Sequence, residues 1–186
     1  SARGAHGVNI DFEGIPTSQS LNFANFMVDI ANQMHSAIPG SEVSTVLYAV
    51  DWNSVFNFSI MEPEVDQYVV MGYDYYYTNS ATAGPEDPLY HFGTSYNYTL
   101  SRTITDYLHD GCPAEKLVMG LPYYGREWST TSLSIPSATT ASGVARTYST
   151  VRSNASGNYS TANHTYRSDC RSDHYGFISG GIPKQC

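Results

Sequence analysis

The stretch VNIDFEG, residues 8–14, sets two carboxylates two positions apart at the end of an alternating apolar run. In a β-strand successive side chains take opposite faces, so Asn9, Asp11 and Glu13 share one side while Val8, Ile10 and Phe12 share the other. Two carboxylates on one face lie about 7 Å apart by strand rise. Their repulsion favours a proton on one of them, as a general acid requires. An acidic edge strand facing water is the other reading of the same residues. Further on, Asp51 and Trp52, then Tyr73 and Asp74, then Tyr124 and Arg126 each stand at the end of an apolar run.

Those groups need elements to carry them. Residues 6–13 read as a strand, and GIPTSQS after it as a loop. Ser18 or Ser20 can cap a helix over residues 21–35, where Leu21, Phe23, Phe26, Met27, Ile30, Ala31 and Met34 recur at three and four residues. STVLYAVDW is a β-branched strand, and YVVMGYDYYY is another. A Gly/Pro-rich loop, SATAGPEDPLYHFG, leads to a helix over 99–109 that DGCP stops, and KLVMGLPYYGREW reads as the next strand. Near-continuous apolar runs alternating with helices predict a parallel sheet. Chemistry collected at the C-terminal strand ends fits a (β/α) barrel or a doubly wound sheet. Beyond residue 128 the chain turns Ser/Thr/Asn-rich with short β-like pieces such as VARTYSTV, so 1–128 is expected to carry the α/β part and 129–186 an insertion subdomain or surface segment.

Composition narrows the partners. A net charge of −8 argues against nucleic acid and anionic membrane as partners. No apolar run approaches the ~20 residues of a membrane span. A neutral ligand fits better, and 16 tyrosines supply flat faces with polar tips suited to sugars or to ordinary packing. Cys170 and Cys186 can close a short loop and leave Cys112 free, or remain unpaired. The sequons at Asn57, Asn97, Asn154, Asn158 and Asn163 read as chance matches in an Asn/Ser/Thr-rich chain. His6 is expected to pack at a strand start; no metal-ligand set and no cofactor motif accompanies it. No G-x-S-x-G elbow supports a serine hydrolase.

HGVNIDFEG resembles the D-x-x-D-x-D-x-E motif of glycoside hydrolase family 18, the chitinase family; MGYDYY resembles its M-x-Y-D motif and GLPYYGREW its G-[LV]-P-[FY]-Y-G-R motif. The three stand in the family's order and together span residues 6–128. The resemblance implies a (β/α)8 TIM-barrel fold, of which about strands four to seven are present here. It also implies substrate-assisted retaining hydrolysis of β-1,4-linked N-acetylglucosamine polymers, chitin first, outside a cell. In that scheme Glu13 is the acid, Asp11 orients the substrate's acetamido group and Tyr73 donates a hydrogen bond to it. Asp74, Met71, Tyr124, Arg126 and Asn9 are the implied substrate-binding positions.

Two departures qualify it. His6 and Asn9 stand where the motif has aspartates; Asn9 can hydrogen-bond Asp11 but cannot exchange charge with it, which predicts a lower rate or an altered acidic limb. A complete barrel takes about 250 residues, so the chain is expected to be a piece of a longer protein, or half a barrel completed by a second chain. A chitinase-like lectin, or a barrel fragment reused as an assembly subunit, are the rival readings.

Overall fold

A computed structural model describes residues 4–92 and 97–186; Gly93, which closes the Gly/Pro-rich loop, lies outside them. In chain order the elements are β1 (Gly7–Ile10), α1 (Ser20–Ala37), β2 (Glu42–Leu47), α2 (Phe58–Met61), β3 (Gln67–Met71), β4 (Thr82–Ala83), α3 (Leu100–His109), β5 (Leu117–Gly120), β6 (Tyr124–Ser129), β7 (Ser137–Ala138), β8 (Val144–Thr147), α4 (Tyr148–Ser153), β9 (His164–Arg167), β10 (Ser172–Ser179) and β11 (Ile182–Gln185). They form two compact units, one of residues 1–71 and 103–120, the other of 72–102 and 121–186. The break expected after residue 128 falls inside β6, so the units divide elsewhere.

The first unit is a four-stranded parallel sheet in the order β1-β2-β3-β5. Each strand pairs with the next along the chain, with no reversal of order. A doubly wound sheet needs such a reversal at its switch point, whereas a barrel is wound in one direction. The apolar periodicity of α1 buries Phe23, Ala24, Met27 and Ala31, at about 1.5–3 kcal/mol for each large side chain. The N-cap position is Gln19, whose side chain makes no capping bond, and Ser20, already inside the helix, donates from Oγ to the Val55 carbonyl at 2.7 Å. Gly7 is required where β1 meets β2: a Cβ there would sit 2.3 Å from the Glu42 carbonyl oxygen.

Phe58 packs edge-on against Tyr68 and Tyr107, with centroids 5.1 and 5.9 Å away, at the centre of this unit's core. From α3, Thr103 Oγ1 donates to the Ala49 carbonyl and Tyr107 Oη to that of Tyr48, both at 2.6 Å. These two bonds fix the chain just beyond β2.

The run 116–128 is not one strand. β5 ends at Gly120 in the parallel sheet, and β6 begins at Tyr124 in the second unit's antiparallel sheet, ordered β8-β6-β11-β10-β9. Pro122 lies between them and has no N–H to continue a ladder. Trp128, 2 % exposed, is buried in this second unit, and the rings of Tyr159 and Phe177 meet edge-on at 5.6 Å. Cys112, Cys170 and Cys186 are all free thiols, so the possible Cys170–Cys186 bridge is absent. Burial pushes the thiols of Cys112 and Cys186 up to about 12. Among the described residues no helix is long and apolar enough to cross a membrane.

Candidate active site

Asp11 and Glu13 follow the C-terminal end of β1, and both are exposed. Between them, Phe12 lays its ring on α1, stacked on Phe26 at 5.4 Å and tilted against Phe23 at 6.3 Å. The segment is held by a residue the sequence did not single out. The Tyr48 hydroxyl accepts the Ile15 N–H at 3.1 Å and donates to the Phe12 carbonyl at 3.3 Å. Tyr48 is itself fixed by the bond from Tyr107, so the carboxylate-bearing segment is tied through β2 to α3.

Asn9 is exposed, and its Nδ2 donates to Ser44 Oγ on β2 at 2.8 Å rather than to Asp11. Met71, half-buried, ends β3 opposite Gly120 of β5. Asp51 is a turn residue: its Oδ2 accepts the N–H groups of Val55 and Phe56 at 2.7 and 3.2 Å. Trp52 is 67 % exposed.

The second unit gathers the other predicted positions. The rings of Tyr73 and Tyr124 meet edge-on with centroids 6.4 Å apart. Arg126, 9 % exposed, donates from Nη2 to Asp74 Oδ1 at 2.6 Å and from Nη1 to Thr78 Oγ1 at 2.5 Å. The Tyr124 hydroxyl reaches the same Asp74 oxygen at 3.5 Å. Asp74 has a φ of +58°, a left-handed conformation that a non-glycine residue holds only when its surroundings impose it.

Glu86, from the Gly/Pro-rich loop, completes this cluster and was not expected from the sequence. Its side chain is 5 % exposed, and its Oε2 accepts the Arg126 Nε–H at 3.4 Å. One guanidinium thus faces two carboxyl groups. Burial, and then the neighbouring Asp74, raise Glu86 to about 8. Asp74 is pulled the other way: burial opposes the change, but hydrogen bonds to Glu86, Arg126 and Tyr124 and the guanidinium charge hold it below its ordinary value. Glu86, Tyr124 and Arg126 also line a cavity of about 520 Å³ in this unit, with Tyr123, Arg146 and His174 elsewhere on its wall. That volume is in the range of small-ligand sites.

A second buried carboxylate lies one residue along β6. Glu127 pairs with Arg146 through Nη2 at 3.0 Å and Nε at 3.3 Å, and accepts the Tyr159 hydroxyl at 2.7 Å. Trp128 beside it is part of the core. Among the described residues no group of three or more His, Cys, Asp or Glu side chains is placed to hold a metal ion.

The chain is 26% identical over 148 residues to chitotriosidase-1 of Mus musculus, covering 71% of this chain and 32% of that protein. It superposes on a glycoside hydrolase family 18 N-acetylglucosaminidase from Paenibacillus barengoltzii with a TM-score of 0.80 at 14% identity, covering 97% of this chain and 57% of that one. The group IV chitinase of Ostrinia furnacalis in complex with allosamidin gives a TM-score of 0.77 at 20% identity, covering 96% and 54%. The chain thus spans about a third of the curated relative and little over half of the solved structures, all of which share its TIM-barrel type of α/β fold. The profile of Glycosyl hydrolases family 18 matches residues 2–179, and the chain belongs to that family.

Proposed function

We propose that the protein carrying this chain hydrolyses β-1,4-linked N-acetylglucosamine polymers with retention of configuration, chitin before peptidoglycan or N-glycan cores. The observation that carries the reading is the Asp11/Glu13 pair, exposed beyond a barrel-type parallel strand in a chain whose lineage is that of glycosidases. In this reading β1, β2, β3 and β5 are strands four to seven of an eight-stranded barrel. Residues 129–186 belong to an insertion, and a further segment or a second chain supplies the other strands.

Glu13 protonates the glycosidic oxygen as the bond to the anomeric carbon breaks. The substrate's own acetamido carbonyl oxygen attacks that carbon and forms a cyclic oxazolinium ion. Water then opens the ion while Glu13 takes the proton back. A nucleophile carried by the substrate leaves the second carboxylate free for another task. Asp11 orients the acetamide and neutralises its developing positive charge. Tyr73 donates a hydrogen bond to the acetamido oxygen, Asp74 and Arg126 place the same sugar, and Tyr124 and Met71 bound it. Asn9, tied to Ser44, supports the strand end without exchanging charge, which lowers the rate or alters the acidic limb. Chitin is outside the cell, so the reading places the protein there.

Hydrolysis of a fluorogenic N,N′-diacetylchitobioside by the full-length protein tests this reading. Glu13→Gln should lower kcat by a factor on the order of 10²–10⁴, the contribution of a positioned general acid, and a thiazoline analogue of the oxazolinium should inhibit the wild type. Exposed Glu13 should leave the melting temperature within the small range of surface substitutions. Sugar binding without turnover, unaffected by Glu13→Gln, would make it a lectin. A large oligomer without sugar affinity would make it an assembly subunit.

A further inference from the structure

Glu86 has no place in the scheme above, yet it touches each part of the Asp74 turn. Its Oε1 accepts the Asp74 N–H at 3.2 Å, its backbone carbonyl accepts the Tyr75 N–H at 3.1 Å, and its Oε2 accepts the Arg126 Nε–H. Two successive amides of the chain leaving β3 are therefore bound by one residue, at the point where Asp74 holds its left-handed conformation. Arg126 donates from its other two nitrogens to Asp74 and Thr78, so Glu86, at Nε, also fixes the guanidinium plane. We propose that Glu86 is a positioning residue: it locks the Asp74 turn and the Arg126 guanidinium in the geometry that receives the sugar. This deepens the glycosidase reading and rests on it for the identity of the ligand.

The charge state follows from what surrounds the group. Asp74 faces Glu86 from the turn after β3, Arg126 and Tyr124 from β6, and the Cys186 thiol from the end of β11. Among these Arg126 is the one cation, and it already pairs with Asp74 at 2.6 Å. With Glu86 raised to about 8 by burial and then Asp74, it is neutral at pH 7, and the Asp74–Arg126 pair carries no net charge. Above about pH 8 the loss of that proton sets two carboxylates against one guanidinium. The Asp74 turn then loses its fixed geometry, and sugar affinity falls with the protonated fraction of Glu86.

The test is the KM of the full-length protein for a chitooligosaccharide between pH 6 and pH 9.5. In the wild type, KM should rise about tenfold from pH 7 to pH 9, because the competent fraction falls tenfold per unit above the transition. Glu86→Gln mimics the neutral form, and should keep the wild-type KM at pH 7 and lose the alkaline rise. Glu86→Ala should raise KM at every pH with a smaller change in kcat. An alkaline rise undiminished in Glu86→Gln, or an unchanged KM in Glu86→Ala, overturns the proposal. ¹³C NMR of the Glu86 carboxyl gives a readout independent of any substrate. It should titrate near pH 8, and Asp74→Asn should move that transition down. Titration in the ordinary carboxylate range, or no response to Asp74→Asn, refutes the lock even in a protein that hydrolyses sugar. No turnover and no sugar binding, with the NMR transition present, instead rejects the glycosidase reading and leaves the lock standing.

Discussion

Replacing Arg126 by Met removes the cation between Asp74 and Glu86, and the structure fixes what that should cost. Asp74 is 46 % exposed, so water takes over much of the lost bond and its share of the charge–charge energy is small. Glu86 is 5 % exposed and cannot be rehydrated in place. Removing one partner of a buried pair typically costs about 3–5 kcal/mol when the other charge stays behind. Here Glu86 escapes that penalty below about pH 8 by keeping its proton. The loss there reduces to hydrogen bonds, about 2 kcal/mol.

The pH dependence gives the sharper test. Glu86 is raised above its ordinary value, so between that value and about pH 8 the native state binds more protons than the unfolded one. Wild-type stability therefore falls as pH rises through this window and levels off above it. Without Arg126 the transition moves higher, since the guanidinium lowers it in the wild type. The variant then goes on losing up to about 1.4 kcal/mol per pH unit above 8, where the wild type no longer does. Urea dependence of hydrogen exchange at the β6 backbone amides reports on the second unit. The difference in stability between wild type and Arg126→Met should be about 2 kcal/mol at pH 6.5 and grow by more than 1 kcal/mol by pH 9.5. A constant difference across that range, or one below about 0.5 kcal/mol, would show that Glu86 and Arg126 are not coupled as described.

Tyr48→Phe removes the hydroxyl that binds Phe12 and Ile15, leaving a part-buried amide without its acceptor. It should destabilise the chain by about 1–2 kcal/mol, measured by urea unfolding, and lower kcat more than Glu86→Gln does at pH 7, because Asp11 and Glu13 lie on the released segment. Glu127→Gln should cost about 2 kcal/mol at pH 7 by weakening the bidentate Arg146 pair and the Tyr159 bond. Burial alone would raise Glu127, but Arg146 and Tyr159 hold it below its ordinary value. Its contribution is thus present above the ordinary carboxylate range and lost as pH falls through the depressed value. The gap between wild type and variant should close as pH falls below the ordinary carboxylate range in the same unfolding assay.

The parallel sheet was legible because burial on both faces leaves continuous apolar runs, and because α1 carries its stripe at three- and four-residue spacing. Its strand order, which separates a barrel from a doubly wound sheet, was not: pairing partners are set by packing between distant segments. The split of 116–128 into β5 and β6 did have a local signal in Pro122, but the flanking apolar residues on both sides masked it. Ser20 satisfied a capping pattern, but the helix begins one residue earlier than expected, which puts Ser20 inside it with its hydroxyl on the Val55 carbonyl, a partner with no mark in the local sequence.

The candidate site divides along the same line. Asp11, Glu13 and Asp74 follow the ends of parallel strands, as their place after apolar runs led one to expect, whereas Arg126 lies inside β6 rather than at a strand end. Tyr48 and Glu86 act through atoms that any tyrosine or glutamate has, and only tertiary placement makes them matter. For Tyr48 the determinant is the bond from Tyr107 on α3, 59 residues away in sequence. For Glu86 it is the absence of water. An Asp-Pro and Pro-Glu loop reads as solvent-exposed turn, and the same carboxylate in water would hold no proton at pH 7 and lock nothing. Burying it beside Asp74 with a single guanidinium to share turns a loop residue into a neutral, doubly anchored support.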